Sequence, residues 1–85
     1  MASHDKTHEA IFGKPTRSDI AWRDIEALFR HLGATITQGK GSRVRVVLHG
    51  VKAVFHRPHP RKEASKGSVE SVRVFLENAG VNPDV

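Results

Sequence analysis

SRVRVVLHGVKAVFH, residues 42–56, decides the fold. Two β-prone runs, Ser42 to Leu48 and Val51 to His56, flank His49-Gly50, and a two-residue turn ending in glycine is a compact way to join antiparallel strands. Glycine accepts positive φ without penalty, and histidine is among the residues enriched there. Counting outward from the turn pairs Leu48 with Val51, Val46 with Ala53 and Val44 with Phe55. All are apolar, so this face is the buried one. The opposite face carries Arg45 facing Val54, Val47 facing Lys52 and Arg43 facing His56, with Cβ atoms of facing pairs ~5 Å apart.

Ala34 to Gln38 is a third strand candidate, joined through Gly39-Lys40-Gly41. Counting back through that loop sets Ile36 beside Val44 and Ala34 beside Val46, again on the core side, while Thr35 and Thr37 join the exposed face. Helices flank the strands. Trp22, Ile25, Leu28, Phe29 and Leu32 recur at three- and four-residue spacing, with Arg23, Asp24, Glu26 and Arg30 expected on the opposite, solvated face and Gly33 as the stop. A second helix, from Gly67 or Ser68 to Asn78, buries Val69, Val72, Phe75, Leu76 and Ala79; Ser65 or Ser68 can cap its start, and Gly80 ends it. Two helices on one face of a three-stranded antiparallel sheet make an α+β domain of order αβββα. Residues 1–15 are expected to be a flexible or short-helical extension, with Met1 to Asp5 disordered and His8 to Phe12 a short helix ended at Gly13 before Pro15. Residues 16–82 then form the domain and 83–85 a tail.

Charge is distributed unevenly. Between Gly39 and Lys66 stand Lys40, Arg43, Arg45, Lys52, Arg57, Arg61, Lys62 and Lys66 against one acid, Glu63, whereas the rest of the chain holds six basic and eight acidic side chains. A local basic patch in a chain of pI 10.3 points to an anionic partner, nucleic acid or an acidic protein. The plainer reading is a solvated face. At 85 residues there is room for one domain with one modest core. The chain has no cysteine, so disulfides and thiolate chemistry are excluded. No apolar run approaches the ~20 residues that span a bilayer, and the polar start is unlike a secretory signal, so a cytoplasmic protein with no membrane partner is expected.

The densest candidate for chemistry is Phe55-His56-Arg57-Pro58-His59-Pro60. The two prolines are expected to hold the backbone extended at Arg57 and His59, presenting these side chains with little freedom to lose. RNA cleavage needs a proton taken from the 2′-hydroxyl, a proton given to the leaving 5′-oxygen, and positive charge beside the phosphorus. Histidine, with an unperturbed pKa of ~6.5, suits both proton transfers, and the planar fork of arginine matches phosphate oxygens. His56 and His59 are therefore the candidate catalytic pair. Lys40, Arg43, Arg45, Lys52, Arg57, Lys62 and Lys66 are the candidate RNA-binding set. A histidine beside proline in a loop is commonly just exposed, His49 reads as a turn residue, and His31 near a helix end reads as a dipole partner. With no cysteine or well-spaced carboxylate beside His49, His56 and His59, no metal is expected. No phosphate-cradling loop, dinucleotide fingerprint or serine triad is present, so no small-molecule cofactor is expected either.

Taken in order and spacing, Trp22-x-x-Ile25, Leu28 to Gly33, Gly39-x-Gly41-Ser42-Arg43, Phe55 to Pro60 and Phe75-Leu76-x-x-Ala79-Gly80 resemble the HicA toxin family of bacterial type II toxin-antitoxin systems. The resemblance covers Asp19 to Asn82. It implies a fold similar to double-stranded-RNA-binding domains, a ribonuclease that cleaves mRNA and arrests growth, and a HicB-type antitoxin that covers the active surface. The best-known members carry Gly-Ser-His at the start of the second strand, where this chain has Gly41-Ser42-Arg43. Two consequences stay open: the imidazole has crossed the ladder to His56 and catalysis survives, or the chain is a non-catalytic RNA-binding module. A protein-interaction role for the patch, toward an acidic partner alone, is the third reading.

Overall fold

The computed structural model describes residues 4–83, which form α1 (His4–Phe12), α2 (Trp22–His31), β1 (Thr35–Gln38), β2 (Arg43–Leu48), β3 (Val51–His56) and α3 (Lys66–Asn78). The expected hairpin is present. His49 and Gly50 both take positive φ, 50° and 80°, and the β2–β3 register runs from Leu48↔Val51 to Arg43↔His56. His49 Nδ1 donates to the Ala79 carbonyl at 2.8 Å, tying the turn to the C-terminal end of α3. The sheet is antiparallel with order β1-β2-β3, and with α2 and α3 it makes the α+β, double-stranded-RNA-binding-like αβββα arrangement.

The β1–β2 register differs from the count made through the glycine loop. Ile36 faces Val46 and Gln38 faces Val44, so β1 is displaced by two residues and Ala34 lies before the strand. The connection is wider than three residues: Gly39 N–H bonds to the Arg43 carbonyl at 2.9 Å, Arg43 N–H reaches the Lys40 carbonyl at 3.3 Å, and Gly41 supplies the positive φ of 63°. Because side chains alternate with period two, a two-residue shift exchanges partners and preserves faces.

The core lies between the sheet and the helices. Val44, Val46 and Leu48 meet Ile25, Leu28, Phe29, Val69, Val72 and Leu76, all essentially sealed from solvent. Phe55 is the hub of its aromatic part, with ring centroids 5.8 Å from Trp22, 5.7 Å from Phe29 and 5.6 Å from Phe75. Such contacts add to the burial of large rings. Trp22 and Phe29 are core residues, as their spacing indicates. Ser65 accepts from the Ser68 N–H at 3.2 Å and caps α3, which begins one residue earlier than expected.

Two further expectations about the helices need correction. Met1 to Ser3 lie outside the described residues, but Asp5 is helical, because α1 begins by His4. Tertiary packing accounts for the longer helix: Ile11 is fully buried in the common core. Arg73 of α3 donates to the Ile11 carbonyl at 2.9 Å and to Thr16 Oγ1 at 3.0 Å, answering a carbonyl at the end of α1. His8 Nε2 donates to the Asn82 carbonyl at 2.7 Å. His31 sits in the last turn of α2, its ring stacked on His4 with centroids 4.4 Å apart. The second correction is Glu26, which is buried at 6 % exposure instead of solvated.

Candidate nucleic-acid interface

Alternation along Arg43–Leu48 sends Val44, Val46 and Leu48 inward and Arg43 and Arg45 outward. The same rule on β3 sends Phe55 into the aromatic cluster and leaves Lys52, Val54 and His56 exposed. Arg43 and His56 are direct partners on the last rung of the strand pair, both open to solvent. The ladder continues one bond further, Arg57 N–H to the Ser42 carbonyl at 2.8 Å, so that rung is held on both sides.

Arg57 follows the alternation and turns toward the helices. Its Nε and Nη2 donate to the two oxygens of Glu26 at 2.7 and 3.1 Å, and Nη1 donates to Gln38 Oε1 at 2.6 Å. The Trp22 indole N–H also donates to Glu26, and Arg30 stands 3.5 Å away. Burial pushes the Glu26 carboxyl up, but the hydrogen bonds from Arg57 and Trp22, with the charges of Arg57 and Arg30, outweigh it and hold the group below its ordinary range. Contact with Glu26 likewise raises the Arg57 guanidinium above its ordinary value. Arg57 thus fastens the end of β3 to α2 and β1. Sequence reasoning anticipates neither Glu26 nor Gln38. The available signal is spacing: Trp22, Glu26 and Phe29 stand at i, i+4 and i+7, one helical stripe.

The remaining candidates fall into groups. Lys40, Arg43 and Arg45 share a groove of about 470 Å³ with Gln38 and Val54 at the β1–β2 end of the sheet. His59 and Lys62 lie in a different groove, of about 570 Å³, with Arg23, Pro58, Pro60 and Arg61. The chain bends at His59 and Pro60 where an extended course was expected. The bend returns the following residues to α2: Trp22 N–H bonds to the Lys62 carbonyl at 2.9 Å and Ala64 N–H to the Ile20 carbonyl at 2.8 Å. Lys52 faces Val47 near the hairpin turn, about 13 Å along the strand from His56 at the usual rise per residue. Lys66 is exposed at the start of α3. Among the described residues no three His, Asp or Glu side chains gather as metal ligands would, and no helix is long and apolar enough to cross a membrane.

This face therefore combines an exposed imidazole paired with a guanidinium, further cations on both sides, and a rigid backing. It can hold a polyanion and present a proton-transfer group to it. Compared with known proteins, residues 22–81 match the family described as HicA toxin of bacterial toxin-antitoxin. No curated protein and no solved structure gave a match.

Proposed function

The chain belongs to the HicA toxin family of bacterial toxin-antitoxin systems, and from that premise we propose that it is a cytoplasmic endoribonuclease that cleaves mRNA and is neutralised by a HicB-type antitoxin. The observation that carries this reading is His56, exposed and directly opposite Arg43 on a cationic sheet face. His56 is the principal acid–base group and His59 its helper. His56 accepts the 2′-hydroxyl proton as that oxygen attacks the neighbouring phosphorus. The bond to the 5′-oxygen breaks, His59 supplies its proton, and the products are a 2′,3′-cyclic phosphate and a 5′-hydroxyl. Arg43 neutralises charge building on the phosphate oxygens, where a guanidinium is worth most. Lys40, Arg45, Lys52, Lys62 and Lys66 supply the wider field that gathers RNA. Arg57, engaged by Glu26 and Gln38, serves RNA through the spare N–H groups of its fork and mainly keeps the end of β3 in place.

End-labelled RNA incubated with the purified chain in chelator tests this. Cleavage is expected, with His56→Ala reducing it by orders of magnitude and His59→Ala less. Wild-type cleavage rates in His56→Ala remove the assignment. The antitoxin is expected to bring acidic groups to Arg43 and His56; a footprint confined to the outer side of α3 contradicts that. Arg43 itself favours a second reading, since it stands where the resemblance leads one to expect histidine. On that reading the protein binds RNA with steep salt dependence and leaves it intact.

A further inference from the structure

Two large apolar side chains stand well out of the core among the described residues, Val54 at 54 % exposure and Val74 at 52 %. Val74 shares its part of the surface with Glu70, Arg73 and Glu77, and nothing there indicates a ligand. Val54 is different. It stands on the cationic face, opposite Arg45, and is two residues before His56 on the same side of β3.

We propose that Val54 is the seat for the nucleotide next to the scissile phosphate: its nucleobase rests on the isopropyl group while Arg45 and Lys40 hold the flanking phosphate. The proposal rests on the ribonuclease reading and adds to it how the substrate is positioned. Three observations carry it. First, the groove that includes Val54 is lined by Gln38, Gly39, Lys40, Arg43, Val44 and Arg45. It has three cations and no carboxylate, which suits a phosphodiester strand and disfavours a cationic or purely apolar occupant. Second, the spacing fits. Two residues along a strand cover about 6.6 Å, close to the step between neighbouring nucleotides in an extended single strand. A base over Val54 therefore brings the adjoining phosphodiester over the Arg43–His56 rung. Third, the residue type is unusual for the position. Beside Arg45 on an exposed rung of an edge strand, an acid or threonine would stabilise the cross-strand pair and discourage edge pairing. Valine forgoes that stabilisation and leaves a desolvatable surface directly opposite Arg45 and diagonal to Arg43. A flat apolar contact of this kind accepts any base, since every base has a face to bury.

The test uses the full chain and a short end-labelled single-stranded RNA, with a matched RNA made abasic at the nucleotide beside the cut. Val54→Ala is expected to raise KM about three- to tenfold with kcat nearly unchanged, the size expected for removing two methyl groups from an open groove. Val54→Ile should retain wild-type KM, and Val54→Asp should lose more than Val54→Ala by repelling phosphate. On the abasic RNA the wild type and Val54→Ala should converge, which a merely structural role for the side chain would not produce. Wild-type KM for Val54→Ala on intact RNA, with the wild-type enzyme active, overturns the seat and leaves the ribonuclease reading standing. Val54 variants that weaken antitoxin binding and leave RNA kinetics unchanged also overturn it, in favour of a protein contact. A wild-type chain that neither binds nor cuts RNA defeats the ribonuclease reading and the seat with it.

Discussion

Replacing Arg57 by alanine strands a buried carboxylate. The Glu26 side chain is 7 % exposed against 35 % for Arg57, and without Arg57 it keeps the Trp22 indole and Arg30 at 3.5 Å. Removing one partner of a buried pair costs about 3–5 kcal/mol. The open side of Arg57 admits water and Arg30 remains, so the loss here is set lower, at about 2–3 kcal/mol. In a domain of this size each kcal/mol moves the melting temperature by roughly 4–8 °C, and Arg57→Ala should melt roughly 10–20 °C early. Glu26→Gln keeps one oxygen to accept from the Trp22 indole and Arg57 Nε, loses the acceptor for Arg57 Nη2 and leaves Arg57 able to turn to water, so its cost is about 1–2 kcal/mol. The order Arg57→Ala worse than Glu26→Gln follows from which group is sealed. The double variant should be more stable than Arg57→Ala alone, because it strands no charge.

The pH dependence has a definite sign. Wild-type Glu26 titrates below its ordinary value of 4.5, so its contribution is complete above that pH and is lost as pH falls through the lower folded value. In Arg57→Ala the balance tips to desolvation and the carboxyl moves up, so acidification relieves the variant while it weakens the wild type. The stability gap between them should narrow from about pH 7 to about pH 3.5, read by urea melts followed by circular dichroism. A gap that holds or widens on acidification, or a Glu26→Gln loss equal to that of Arg57→Ala, refutes the reasoning.

Ile11→Ala should destabilise the domain by about 2–4 kcal/mol, because Ile11 is fully buried in the common core although it lies before the matched residues 22–81; a loss under about 1 kcal/mol in urea melts would show that α1 is not part of the cooperative unit. Arg43→Ala and Arg45→Ala, combined in the His56→Ala background to prevent cutting, should weaken single-stranded RNA binding and lower the slope of log affinity against log salt by about 0.7 for each phosphate no longer neutralised; an unchanged slope in filter binding would remove these two side chains from the interface.

How much of this is legible in the sequence depends on the range of the interaction. The β2–β3 hairpin is readable because His49-Gly50 fixes its register locally and a one-residue slip would invert every side chain. The β1–β2 register is less so, since a loop containing Gly39 and Gly41 can close at several lengths, and a hydrogen bond from Gly39 to Arg43 selects one of them. The α1 helix is longer than its local pattern suggests because Ile11 and His8 gain their partners from Arg73 and Asn82, more than sixty residues away. Charge groups Arg57 with the exposed cations, yet the period-two rule, extended one residue past His56, turns it inward. Charge likewise assigns Glu26 to the solvated face, although its spacing from Trp22 and Phe29 puts it on the buried stripe. At both positions composition and geometry disagree, and geometry decides.

The two chain neighbours of His56 explain how an exposed histidine is held in place. His56 is preceded by Phe55, whose ring touches three others in the core, and followed by Arg57, locked to Glu26 and Gln38. Across the ladder its partner Arg43 is bound by backbone hydrogen bonds to both Gly39 and Lys40. An outward side chain between two inward anchors has little backbone freedom to lose on meeting a substrate, and that loss is what loop-borne groups ordinarily suffer. Among the described residues His59 has no comparable anchors, since it lies past the end of the strand, on a bend between prolines. The asymmetry favours His56 as the group whose geometry the fold defends and His59 as the more replaceable one, the ranking that the paired alanine variants measure.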